Sequence, residues 1–211
     1  MRQEATLVLL RDVRRRPCAD CGEPFEPHQM DFDHRDPELK SFQLTTGRAM
    51  LKSRADLQNE IRKCDVVCAN CHRMRTRARH AQRDKTLSGR SRYIGRKRTY
   101  WRAQAELLDR LRDVPCVDCN RRFAPCAMDF DHIHPSTKNY VVTRMIGRAG
   151  TARILEEAAK CDIVCANCHR RRTHDRRMAD RGAGVAQLVE RQPSKLDVAG
   201  SNPVSRSNHQ F

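Results

Sequence analysis

The chain has 211 residues, 38% of them hydrophobic, 5% aromatic and 32% charged. That mixture leaves too little apolar material for one large core and favours two small domains, which below about 80 residues usually need metals or disulfides to hold them. Lys and Arg outnumber Asp and Glu by 42 to 26, a net charge of +16; such an excess points to a polyanion, nucleic acid being the commonest, and the lack of a segment with a broad apolar face argues against a membrane surface.

The first apolar run is TLVLL, residues 6–10. It is too short for the apolar centre of a secretory signal, and nothing approaches the about 20 residues of a membrane span. The expected compartment is the cytoplasm, where closely spaced cysteines are metal ligands more often than disulfides. A CxxC pair follows at Cys18 and Cys21, then the string MDFDH at 30–34. Next come SRADLQNEIRK, with Leu57 and Ile61 four apart, the β-branched DVVC, a second CxxC pair at Cys68 and Cys71, and the basic run NCHRMRTRARHAQR. MDFDH and DVVC read as short strands, and the other two segments as helices.

The order then recurs. RPCADCGEPFEPHQMDFDHRDPELK returns as VPCVDCNRRFAPCAMDFDHIHPSTK, and EIRKCDVVCANCHRMRT as EAAKCDIVCANCHRRRT. Cys116 stands 98 residues after Cys18, and Cys165 stands 97 after Cys68. A period this long means duplication of a whole small domain rather than a solenoid. Module one is placed at 1–85, a Gly/Ser/Arg-rich linker at 86–98 and module two at 99–180. Ahead of the second set, YWRAQAELLDRLRD reads as a helix with Trp101, Leu107, Leu108 and Leu111 near one face, stopped by Pro115. The remainder, 181–211, has no counterpart and is expected to be disordered. It resembles a translated transfer-RNA gene, VAQLVE matching the D-arm and GSNPV the T-arm, and no function is assigned to it.

Cys18, Cys21, Cys68 and Cys71 make one set of four thiols, and Cys116, Cys119, Cys165 and Cys168 a second. A CxxC turn lets two sulfurs reach one ion, and four thiolates complete a tetrahedral zinc with no position open for water, so two structural Zn²⁺ ions are expected. A thioredoxin-like redox pair or disulfides are the alternatives; the redox reading lacks a βαβ pattern, and the duplicated pairing argues against it. Cys64 and Cys161 match each other outside the pairs and read as small buried side chains. Between the pairs of module one lie 46 residues, more than a plain zinc ribbon holds, so the insert must carry something else.

The order CxxC, DH, CxxCH and basic helix resembles the HNH nucleases, with their ββα-metal core. The resemblance covers Cys18 to about Arg79 and Cys116 to about Arg177. It implies an α+β fold of two small zinc-stabilised ββα-metal modules in tandem with flanking helices. It also implies hydrolysis of phosphodiester bonds of DNA. Asp33 and His72 would bind a catalytic Mg²⁺ or other divalent cation, and His34 would be the general base. Asp131, His169 and His132 would repeat these roles. An acidic oxygen and an imidazole suit such an ion, and a near-neutral histidine suits the proton of the attacking water. The family's middle Asn is absent from KCDVVC and KCDIVC. Asn70 and Asn167 stand inside CANCH instead, where they either orient the base or touch metal, or cap the following helix. Asp31 and Asp129 read as partners that orient a metal ligand from behind or as acids on a strand face.

Arginines crowd the segment after each CxxCH. Arg73, Arg75 and Arg77, with Arg170, Arg171 and Arg172, are the candidate phosphate contacts. Aromatics are too sparse for single-strand stacking, so double-stranded DNA is the expected partner. The oligomeric state stays open, a monomer carrying two modules being one reading. A zinc-dependent nucleic-acid-binding protein without catalysis is the alternative function.

Overall fold

The computed structural model describes residues 2–44, 46–85 and 92–190. These fall into two units, one ending at His174 and the other beginning at Asp175. In chain order the elements are helix α1 (Arg2–Val13), strand β1 (Met30–His34), helices α2 (Thr46–Ala49) and α3 (Arg54–Arg62), strand β2 (Cys64–Cys68) and helix α4 (Ala69–Lys85). Helix α5 (Arg92–Leu111), strand β3 (Met128–His132), helix α6 (Thr151–Ala158), strand β4 (Cys161–Cys165) and helix α7 (Ala166–Glu190) follow. The expected mixed α+β class holds, built twice from a two-stranded sheet and a following helix. Two boundaries differ from expectation. Helix α5 begins at Arg92, inside the stretch assigned as linker, and α7 runs on to Glu190, into the assigned tail. Residues 86–91 and 191–211 lie outside the described residues.

Strands β1 and β2 pair antiparallel with Met30 opposite Cys68, Asp33 opposite Asp65 and His34 opposite Cys64. Strands β3 and β4 repeat this register, with Met128 opposite Cys165, Asp131 opposite Asp162 and His132 opposite Cys161. Side chains alternate along a strand, so Asp31 and Asp33 share one face of β1 while Met30, Phe32 and His34 share the other. That alternation keeps two carboxylates together without placing them in the apolar core.

Each module has a core in two parts. On the cysteine side Cys18, Met30, Val66, Val67, Cys68 and Cys71 pack together, with Phe32 against them. On the helix side Leu10, Leu44, Ala49, Leu57 and Cys64 pack, again touching Phe32. Burial of Leu10 and Leu57, both essentially inaccessible, stabilises by about 1.5–3 kcal/mol each. Module two repeats the division around Leu108 and Ile154 on one side and Met128 and Val164 on the other. Of the four residues expected on one face of α5, Leu108 is fully buried, but Trp101 is largely exposed.

Helix α3 starts at a capping box: the Ser53 side chain accepts from Asp56 N–H and the Asp56 carboxylate accepts from Ser53 N–H. The two CxxC turns need a left-handed residue after the second cysteine. Gly22 supplies it at φ 72° and Asn120 at φ 54°, the two residue types that reach this region most readily.

Candidate metal centres and active-site cleft

The four sulfurs of Cys18, Cys21, Cys68 and Cys71 lie within 4.8 Å of one another, as do those of Cys116, Cys119, Cys165 and Cys168. This is the spacing one tetrahedral ion requires. All eleven cysteines are free thiols. The CxxC turn is fixed by Gly22 N–H donating to Cys18 O at 2.9 Å, and Ala19 N–H ties it to β2 through Val66 O at 2.9 Å. The Cys18 sulfur accepts from Cys68 N–H at 3.2 Å, and the Cys116 sulfur from Cys165 N–H at 3.2 Å. Burial works against the Cys18 thiolate, but N–H groups aimed at its sulfur outweigh this and bring the thiol down to about 7. Cys64 stands apart: its thiol points at Glu60 O, 3.4 Å away, and burial raises it to about 11.

The second cluster lies on the acidic face of β1. His72, in the first turn of α4, reaches back to the strand. Its Nδ1–H donates to Asp31 Oδ2 at 2.8 Å, and its Nε2 stands 3.5 Å from Asp33 Oδ1. Module two gives 2.8 Å for His169 to Asp129 and 3.6 Å for His169 to Asp131. With the proton on Nδ1, Nε2 presents a lone pair to a carboxylate oxygen. Two acceptors facing each other leave room for a cation between them. The other oxygen of Asp33 receives Arg75 at 3.1 Å and also Arg79, which supplies the positive charge that a carboxylate only 3% exposed needs. Among the described residues the groups of three or more ligands are the two cysteine sets; Asp33 with His72 is a two-residue site.

His34 leaves the sheet on the opposite face, 7% exposed. Its Nε2–H donates to Glu60 Oε1 at 2.7 Å. His132 does the same to Glu157 at 2.9 Å. Burial pushes the Glu60 carboxyl up, but Lys63, His34 and the N–H groups of Ser41 and Phe42 outweigh it and hold the group at about 2. Glu157 is held at about 2 in the same way, by Lys160, Tyr140 N–H, His132 and Asn139 N–H against its burial. A carboxylate so fixed orients the imidazole and leaves Nδ1 as the free ring nitrogen.

His34, Asp33, His72, Arg79, Arg14 and Lys40 all line one cavity of about 290 Å³. Arg14 lies over the Phe32 ring, 4.8 Å from its centroid, and its buried Nε has no hydrogen-bond partner. A buried donor without an acceptor is rare in a folded protein. Its counterpart Arg112 is fully engaged, donating to Leu108 O, Met128 O and Asp109.

The remaining expected residues divide. Asn70 and Asn167 meet each other across the two modules: Asn70 N–H donates to Asn167 Oδ1 at 3.3 Å, and Asn167 N–H to Asn70 Oδ1 at 3.1 Å. Each therefore caps the helix of the other module, not its own, and the oxygen that would orient a base is committed there. Five of the six candidate phosphate arginines pair with carboxylates. Arg75 joins Asp20, Asp33 and Asp65, and Arg172 joins Asp118, Asp131 and Asp162. Arg73 crosses to Asp129 of module two, and Arg170 crosses to Asp31 of module one. Arg77 is exposed with no ion pair among the described residues, and Arg171 is half exposed with Asp118 at 3.7 Å. Glu60, Glu157 and Arg14 were not anticipated. The signal for the glutamates lay in the repeat itself, since Glu60 and Glu157 hold matched positions in EIRKC and EAAKC.

No helix among the described residues is long and apolar enough to cross a membrane. No protein-family model matches this chain, and no curated protein or solved structure matches it.

Proposed function

We propose that the chain is a metal-dependent endonuclease of the HNH class that hydrolyses phosphodiester bonds of double-stranded DNA, with one divalent cation and one histidine base in each module. The observation that carries this reading is the facing pair Asp33 Oδ1 and His72 Nε2, 3.5 Å apart, met again at 3.6 Å in Asp131 and His169. The residues suit a divalent ion: one carboxylate oxygen, one imidazole nitrogen, and an acid behind the imidazole to fix its tautomer. When bound, such an ion neutralises phosphate charge and stabilises the leaving oxygen.

The chain's own groups carry the rest. His34, oriented by Glu60 through Nε2, takes the proton of the attacking water at Nδ1. The cavity that holds it also holds Asp33 and His72. Arg14 and Lys40 line the same opening and add positive charge for a phosphate there. The net charge of +16 draws the polyanion in. Zinc in each cysteine set would tie the CxxC turn to the end of one strand and to the first turn of the following helix, the turn that carries His72 or His169.

The test is a supercoiled plasmid incubated with zinc-loaded protein and Mg²⁺ or Mn²⁺. Linear product is expected, with mainly nicked circles from His34→Ala alone. Unchanged cutting by the His34→Ala, His132→Ala double variant would sink the assignment of the bases. A zinc-dependent nucleic-acid-binding protein without catalysis is the second reading. It is favoured by one observation, the engagement of Asp33 by both Arg75 and Arg79. A gel shift that persists while no divalent metal supports cutting would select it.

A further inference from the structure

The two candidate sites are joined by a pair of crossed arginines. Arg170 lies on α7 of module two, two residues beyond the last cysteine of its metal set. Its Nη1 and Nη2 donate to Asp31 Oδ1 and Oδ2 of module one at 2.9 and 2.6 Å. Asp31 Oδ2 in turn accepts from His72 Nδ1–H at 2.8 Å. The mirror relation holds too: Arg73 of module one donates to Asp129 at 2.5 Å, and Asp129 accepts from His169 at 2.8 Å. The contact is built rather than incidental. Asp31 and Asp129 are mostly buried, and the same chain of three groups appears twice, with two prongs from Arg170 and one from Arg73; a two-pronged guanidinium fixes a carboxylate plane as well as its charge.

We propose that each site is completed in trans, Arg170 acting through Asp31 to set His72 for metal in module one, and Arg73 acting through Asp129 to set His169 in module two. This rests on the nuclease reading above. Arg170 and Arg73 are positioning residues: neither needs to touch metal or DNA. Fixing the carboxylate fixes which imidazole nitrogen carries the proton and where Nε2 points. Loss of such an outer partner typically weakens metal binding by about 10–100-fold. The consequence is that neither module is a complete site alone, which explains why the motif occurs twice in one chain with its partner arginine always on the other copy.

The experiment measures Mn²⁺ binding by electron paramagnetic resonance on zinc-loaded full-length protein, without DNA. In a His169→Ala background, which leaves the module one site, adding Arg170→Ala is expected to weaken Mn²⁺ binding about 10–100-fold. In a His72→Ala background, Arg73→Ala is expected to do the same to module two. Arg121→Ala is the control: Arg121 also crosses between modules, to Glu23 at 2.8 Å, but it touches neither Asp31 nor Asp129, so it should leave Mn²⁺ binding unchanged. Two zinc ions per chain report an intact fold. Should Arg170→Ala lose zinc, Arg170→Lys keeps the charge without the fork and supplies the same comparison. Equal Mn²⁺ affinity with and without Arg170 overturns the trans inference alone, and so does an equal loss from Arg121→Ala. Absence of any Mn²⁺ binding in both backgrounds overturns the metal reading as well.

Discussion

Asn70 and Asn167 exchange hydrogen bonds, each backbone N–H donating to the other's side-chain oxygen at 3.3 and 3.1 Å. The N–H groups in the first turn of a helix have no partner within it, and here α4 and α7 satisfy each other. Both side chains are almost inaccessible, so water cannot replace a lost bond. Asn70→Ala and Asn167→Ala should each destabilise the zinc-loaded protein by about 0.5–2 kcal/mol, the usual range for losing a cap. The double variant should fall short of the sum or exceed it, because the two bonds join the same pair of residues and each holds its partner in place for the other. Urea titrations at pH 7 measure all four proteins; full additivity would mean that the reciprocal pair does not act as a unit.

Sequence periodicity made some of this legible and not the rest. MDFDH alternates as a strand does, DVVC is β-branched, and CxxC is a local metal turn, so β1, β2 and the cysteine sets follow from neighbours within a few residues. Glu60 was missed for a physical reason. A charged residue on an amphipathic helix reads as solvated, and only the fold brings His34, 26 residues away, into the place that buries it. The arginines mislead in the same way. A run after CxxCH looks like a phosphate-binding face, but Arg170 meets an acid 139 residues distant, and no local pattern encodes that choice. The Asn pair was half legible: its capping role follows from residue type, its crossing between modules does not.

The cysteine sets carry a direct prediction. Each module's apolar clusters are small, and the cysteine-side one is made largely of the candidate ligands themselves. Metal binding is then folding free energy. Cys68→Ser should bind one zinc instead of two, read by elemental analysis, and should loosen the first turn of α4, which carries His72 to Asp33. Chelation of both ions from the wild-type protein should abolish cooperative unfolding. A sharp thermal transition that survives complete zinc removal would contradict this.

Gly147 predicts a local defect. Its φ of 71° is a conformation that L side chains seldom adopt, and a Cβ there would overlap the Trp101 indole. Its N–H also donates to Gln104 Oε1 at 2.7 Å, tying the turn to α5. Gly147→Ala must strain the backbone and displace the indole together, a loss of roughly 2–4 kcal/mol from a left-handed alanine and an overpacked contact. Trp101 is the only tryptophan, so its fluorescence reports the site directly. An unshifted emission maximum with unchanged stability would show that the turn relaxes freely.

Glu60 links the proposed base to acid stability, and the sign follows from its depressed carboxyl. The group sits at about 2 in the folded chain against an ordinary 4.5. The unfolded chain therefore takes up the proton first, so the stabilisation is complete above about pH 4.5 and is lost as pH falls towards 2. Glu60→Gln should be less stable than wild type at pH 7, with the gap closing through that window. Acid also strips zinc from thiolates, but it does so in both proteins, and the difference between them isolates the carboxylate. The same variant should slow cutting by module one in a His132→Ala background, because a neutral amide no longer stabilises the imidazolium that forms when His34 takes a proton. A stability gap that stays constant from pH 7 to pH 3 would show that Glu60 is not ionised against His34 and Lys63, and a cutting rate unaffected by Gln would remove Glu60 from the positioning of the base.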